Sequence, residues 1–376
     1  MTRTQKLLRE LIALPSVNSA FLPPKHPRAG EKKVAGYLAS IAKKAGLEVH
    51  WQKVFPGRSN LLARLTPPGR PRQRVLLAPH LDTVDAADEG QFSPRLKGGR
   101  LHGRGACDTK GSVAAMMAAV CEVAAGGRRP MSTEIIFAGL VDEEMAQGGS
   151  RALAAAGPKA DLAIVGEPTC LRVVTCHKGD LWLELVTRGR AAHGARPELG
   201  RNAVHEMARI VDLLETEYAS MLRGRRHPLL GHATVNVGTI EGGVQTNIVP
   251  ARCVITIDRR TLPGESDAGA RREIGRLLRR NRLKASLASR KTAPCRPLET
   301  SAKLPLVRQF LHCAGQARPA GVDYFCDAAV LASGGTPGVV FGPGDIAQAH
   351  TDDEWISLAA VERAKGILVN FLRSLP

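Results

Sequence analysis

Imidazoles and carboxylates recur in this chain where short apolar runs give way to turns, and together these groups form a donor set for zinc-like cations. The run Arg74 to Ala78 passes into Pro79-His80-Leu81-Asp82, where a nearby carboxylate can hold one ring nitrogen of His80 in a single tautomer. Taken alone, such a pair is an ordinary surface feature. Gly103-Arg104-Gly105-Ala106-Cys107-Asp108 is a glycine-rich turn opening a helix, and Asp108 reads equally as an N-cap or as a ligand. Val141-Asp142-Glu143-Glu144 follows the apolar run Ile135 to Leu140, and successive carboxylates repel one another unless cations share the space. Glu167 closes the run Ile164-Val165-Gly166, and His350 stands six residues beyond the glycine-rich loop Phe341-Gly342-Pro343-Gly344. Each element is weak by itself. Together they supply two histidines and three or four carboxylates, which suits a pair of divalent cations.

Other catalytic patterns are absent. His205-Glu206 is followed by Met207, Ala208 and Arg209, so no H-E-x-x-H zinc helix is present. There is no G-x-S-x-G nucleophile elbow, and Gly103-Arg104-Gly105 lacks the third glycine of a dinucleotide fingerprint.

The elements that must position these residues follow from periodicity. Helical patterns run over about 3–13, 30–45 and 110–125, and strands are expected over Asn60 to Leu65, Arg74 to Ala78, Thr133 to Leu140 and Asp161 to Val165. Such alternation predicts an α/β domain with a mostly parallel sheet, which presents ligands just past its strand ends. Near residue 178 the texture changes. Leu181, Leu183 and Leu185 alternate with Trp182, Glu184 and Val186; then come a helix over 201–217, strands near 233–239 and 252–258, a helix over 265–282 and a strand to about 289. This block predicts an α+β unit, an antiparallel sheet carrying two helices on one face. From Pro294 the α/β texture returns, with a helix at 303–315, a strand at Gly338 to Phe341 and a last helix at 356–373. The expected division is 1–177 and 293–376 for the larger domain, with 178–292 inserted.

The five motifs, in this order, resemble those of the dizinc metallopeptidase and amidohydrolase family containing acetylornithine deacetylase, succinyl-diaminopimelate desuccinylase, aminoacylase and carboxypeptidase G. The resemblance covers essentially the whole chain. It implies that His80 and Glu167 hold one zinc, Glu144 and His350 the other, and that Asp108 bridges both. Asp82 would orient His80, and Glu143 would be the general base. Thr109 stands where many members carry methionine after the bridging aspartate. The inserted unit resembles the family's lid and dimerisation domain. In Ala192-His193-Gly194-Ala195-Arg196-Pro197, His193 matches a histidine that reaches the scissile carbonyl across a dimer, although it could equally cap a helix. Asn247 and Arg260 match positions contacting the substrate carboxylate, and the planar fork of Arg260 suits that task. Gly342, in the loop Gly342-Pro343-Gly344-Asp345, belongs to the expected substrate site, and that loop favours the deacylases slightly over the peptidases. The implied activity is hydrolysis of an amide in a small anionic N-acyl amino acid or short peptide. The implied cofactor is two Zn²⁺ per chain, with Co²⁺ or Mn²⁺ as substitutes.

Composition narrows the partners. The formal charge is +18, yet its densest patch, Arg271 to Lys284, lies on a helical pattern, so a solvated helix face is expected rather than a nucleic-acid site. A positive field instead draws in small anions. The eight cysteines form no C-x-x-C pair, as in a reduced, cytoplasmic protein. No apolar run approaches the roughly 20 residues of a membrane span, and no signal peptide is expected.

Overall fold

A computed structural model describes residues 1–126, 128–290 and 293–376. The chain divides into two compact units, 1–175 with 300–320 and 326–376, and 176–299 with 321–325. The boundary expected at 292 lies outside the described residues.

The first unit begins with helices α1 (Arg3–Ile12) and α2 (Lys32–Lys44), then strands β1 (Glu48–Phe55), β2 (Arg58–Leu65) and β3 (Gln73–Pro79). Helix α3 (Gly111–Ala125), strand β4 (Thr133–Gly139), helix α4 (Gly148–Ala156) and strand β5 (Leu162–Gly166) follow. Every residue of β4 and β5 is buried, as strands covered on both faces require. Helix α3 is apolar nearly all round and is correspondingly enclosed.

The second unit carries strand β6 (Gly179–Arg188), helix α5 (Ala203–Leu213), strands β7 (Thr234–Gly242) and β8 (Arg252–Thr261), helix α6 (Asp267–Arg280) and strand β9 (Ser286–Ser289). Its sheet is antiparallel throughout, in the order β7-β8-β6-β9. Leu181, Leu183 and Leu185 of β6 join Met207 and Ile210 of α5 and Ile274 and Leu277 of α6 in one core, so the helices cover one face. Asn202 caps α5 and Ser266 caps α6, each with its side-chain oxygen on a first-turn amide.

The chain then returns to the first unit with helices α7 (Pro305–Cys313) and α8 (Asp327–Ser333), strand β10 (Gly338–Val340) and helix α9 (Leu358–Arg373). In the main sheet these strands run β1-β2-β4-β3-β5-β10; β4, β3, β5 and β10 are parallel, and β1 and β2 form an antiparallel margin. The expected fold class is therefore the observed one. Phe310, Phe341 and Phe371 pack ring against ring under α9, with centroids 5.1 and 4.9 Å apart.

Candidate metal centre

Because β3, β4, β5 and β10 run parallel, the residues after their C-terminal ends gather on one edge of the sheet. His80 follows β3, Glu143 and Glu144 follow β4, and Glu167 follows β5. His80 pairs with Leu140 in a parallel bridge, which sets these two ends level. The loop after β10 brings back His350, whose backbone is left-handed at φ 63°.

Asp108 arrives from a different direction and needs its own support. The carboxylate of Glu354 is buried inside the Gly103–Lys110 turn, where it accepts from the amides of Gly105 (2.8 Å), Cys107 (2.8 Å) and Asp108 (3.0 Å) and from Arg104 (2.9 Å). Gly105 has φ 77°, and a Cβ there would stand 2.7 Å from Thr83 Cγ2, so the turn requires glycine. The Asp108–Thr109 peptide is cis. Thr109 Oγ1 donates to Gly166 O at 2.7 Å, and Lys110 Nζ to Leu14 O at 2.8 Å. Asp108 is thus no N-cap; it lies before α3, inside a turn tied down on both sides.

The five expected ligands converge. His80 Nε2 lies 3.1 Å from Asp108 Oδ1 and 3.8 Å from Glu167 Oε1. His350 Nε2 lies 3.4 Å from Asp108 Oδ2 and 3.2 Å from Glu144 Oε2. Each oxygen of Asp108 therefore faces a different imidazole. His80, Asp108 and Glu144 place one donor atom each within 4.8 Å of one another.

Two further observations test whether this set suits cations. Glu144 Oε1 and Glu167 Oε1 are buried and make no hydrogen bond among the described residues. Buried carboxylate oxygens without donors are costly unless something positive meets them. The electrostatics agree. Burial lowers the proton affinity of His80, but Asp108 and Asp82 overcome this and hold it well above its ordinary value. Asp108 and Glu144 push His350 up to about 10. Burial raises Asp108, but His350 and His80 overcome this and hold it well below the usual carboxylate range. Burial, then the Asp108 charge, push Glu144 up to about 6. Burial, then Glu167, drive Glu143 well above its ordinary value. The donor set and the orphaned oxygens fit a pair of divalent cations.

The remaining expected residues take distinct places. His80 Nδ1 donates to the main-chain carbonyl of Asp82 at 3.0 Å, with the carboxylate farther off at 3.5 Å. That carboxylate instead accepts from the amides of Glu143 and Glu144, both at 3.1 Å, and from Asn18 at 2.7 Å. Asp82 thus fixes the Glu143-Glu144 turn as well as His80. Of the three successive acids, Asp142 faces away, to Arg58 at 3.2 Å and Asn18 at 3.1 Å. Gly342 is buried, its amide donates to Thr169 Oγ1 at 3.1 Å, and a Cβ there would meet Glu167 O at 2.5 Å, so the loop packs closely behind Glu167.

His193, Asn247 and Arg260 belong to the second unit. His193 is exposed, and its Nδ1 accepts from Ala195 N at 3.1 Å, which leaves Nε2 as the protonated donor of the neutral ring. Asn247 holds the same loop through Gly194 N→Asn247 O at 2.7 Å. Arg260 is paired with Asp258 at 2.9 Å. The sequence gives no signal for three other groups at the metal centre. Glu354 sits in an acidic run whose inward member only the fold selects, Asn18 stands in no motif, and Asp327 is buried, bonded to Ser150 and pushed up to about 6 by that burial.

A family model for peptidase family M20/M25/M40 matches residues 76–374. An acetylornithine deacetylase from Myxococcus xanthus is 31% identical over 347 residues, covering 88% of this chain and 89% of the relative. Among solved structures, an M20 family metallo-carboxypeptidase from Sulfolobus solfataricus superposes with a TM-score of 0.77 at 19% identity, over 99% of both chains. A dinuclear metal-binding M20 peptidase from Bacillus subtilis gives 0.72 at 13% identity, over 99% of this chain and 97% of its own.

Proposed function

We propose, on the premise that this chain belongs to peptidase family M20/M25/M40 and is a metallohydrolase, that it is a dizinc deacylase cleaving the amide of a small N-acyl amino acid. One observation carries the metal reading: Asp108 offers one oxygen to each of two histidines while Glu144 and Glu167 keep buried oxygens without donors. His80 and Glu167 would hold one zinc and Glu144 and His350 the other, with Asp108 as the residue they share. Bound there, the cations supply Lewis acidity and lower the pKa of water.

The chain's own groups do the rest. Glu143 takes a proton from the attacking water and returns it to the departing amine, so one amide and one water give a carboxylic acid and an amine, which become carboxylate and ammonium by exchange of the acid's proton. Asp82 keeps Glu143 and Glu144 in place through their amides. His193 donates from Nε2 to the developing oxyanion, delivered by a second copy of the chain in a homodimer. Asn247 and Arg260 receive the substrate carboxylate, for which Arg260 must exchange its bond to Asp258. Among the described residues no helix is long and apolar enough to cross a membrane, and a cytoplasmic enzyme is part of this proposal.

The deacylase assignment rests on the Myxococcus relative, whereas peptidases among the solved structures with this fold favour a dipeptidase or glutamate-releasing carboxypeptidase as the second reading. A panel of N-acetyl and N-succinyl amino acids and dipeptides, assayed with zinc supplied, separates them. N-acyl amino acids should turn over fastest. Turnover of dipeptides alone would replace the deacylase with the peptidase, and hydrolysis of neither would end both.

A further inference from the structure

A cavity of about 630 Å³ opens in the first unit between α1, α2, α3 and α9, on residues that the metal centre does not use. Leu7, Ile41, Ala118 and Cys121 give it an apolar floor. Its rim is cationic. Both rim carboxylates are engaged: Glu122 pairs with Lys365 at 3.0 Å and Arg373 at 3.5 Å, and Glu10 accepts from the Tyr37 hydroxyl. Arg3, Lys6 and Lys44 line the same cavity and have no carboxylate partner among the described residues. An apolar hollow of this size with a few converging polar groups is the usual form of a small-molecule site. Unbalanced positive charge at its edge selects an anionic head and rejects a cationic one.

Three of the four walls also lead to Asp108. Helix α3 starts at Gly111, directly after the Asp108 turn. Helix α1 ends beside Leu14, whose carbonyl holds Lys110 Nζ. Helix α9 follows Glu354, whose carboxylate holds the amides of Cys107 and Asp108. These three helices are thus joined to the Asp108 turn by the chain itself or by direct hydrogen bonds.

We propose that this groove binds a small amphipathic carboxylate, an apolar body ending in one negative charge, and that its occupancy alters the affinity of the Asp108 centre for cations. The test is calorimetric titration of the full chain with octanoate, which reads binding without any assay of hydrolysis. Octanoate should saturate at about one molecule per chain, and octylammonium should bind roughly tenfold more weakly or worse. The variant Lys6→Glu/Lys44→Glu, altered only at exposed positions and checked by circular dichroism, should lose at least about tenfold in octanoate affinity. Zinc titrations with and without saturating octanoate should differ by roughly threefold or more, since coupling between two sites is reciprocal. Absence of saturation, equal binding by the charge-reversed variant, or capture by anionic phospholipid vesicles with indifference to free octanoate overturns the site. Identical zinc titrations overturn the coupling.

Discussion

In the second unit the guanidinium of Arg259 is fully buried, and it is partnered on every side: Nε donates to Tyr218 at 3.1 Å, Nη2 to Glu265 at 2.8 Å and Nη1 to the carbonyl of Arg260. Glu265 is shared with Arg225, which also meets Glu273 at 2.8 Å. In the first unit Asp108, Glu143, Glu144 and Glu167 crowd around two imidazoles and leave two buried oxygens bare. Both regions bury charge, but only one neutralises it with its own side chains. A balanced buried network holds structure, whereas an unbalanced one calls for cations from outside.

Four experiments sharpen or break this contrast. Glu143→Gln should cut hydrolysis by roughly 10²- to 10⁴-fold, the usual worth of a general base, while zinc content by atomic absorption stays at the wild-type level. An active variant would remove Glu143 from the chemistry. Arg259→Met removes one of the two guanidinium partners of Glu265, leaving Arg225, and should cost about 1.5–3 kcal/mol in urea unfolding with zinc content unchanged. Lost zinc would show that the two regions are not separable. Glu354→Gln weakens the amide cradle of Asp108 without touching a ligand, and zinc affinity should fall by roughly 10- to 100-fold. An unchanged affinity would mean that the Asp108 turn holds itself.

The fourth test separates two buried histidines. The carboxylates around His80 raise its proton affinity, whereas no carboxylate faces His177 among the described residues; its Nδ1 meets the Lys178 carbonyl at 2.8 Å, and burial lowers it from 6.5 to about 4. Below pH 6.5 the unfolded chain therefore takes up a proton that the folded chain refuses. This contribution to stability is complete above 6.5 and is lost as pH falls toward about 4, by up to about 1.4 kcal/mol per pH unit. Urea unfolding between about pH 7 and about pH 4.5 should show the slope, and His177→Gln should flatten it. A slope unchanged in the variant would assign it elsewhere.

The α/β alternation, the block of different texture and the chemically suggestive strand ends were all legible, because each is a local pattern of apolar period followed by a polar residue. Strand β1 escaped notice because it lies at the sheet margin, half exposed, with Trp51 turned to solvent. Helices α4 and α8 escaped because seven to nine residues carry too little periodicity. Within the site, the candidate ligands could be named from strand ends, but their directions could not. Asp142 and Glu144 are two residues apart on one turn, and only the placement of Arg58 and Asn18 sends one outward and the other toward His350. Likewise Asp82 lies beside His80 in sequence, yet its carboxylate serves the Glu143-Glu144 amides.

What the sequence determined by itself is the inventory: which elements form, and which titratable groups stand where a parallel sheet exposes its strand ends. What only the tertiary structure decided is the balance of charge, since His350 meets Asp108 across 242 positions of chain and Glu354 meets it across 246. Side-chain fields act through space over a few ångströms and take no account of separation along the backbone.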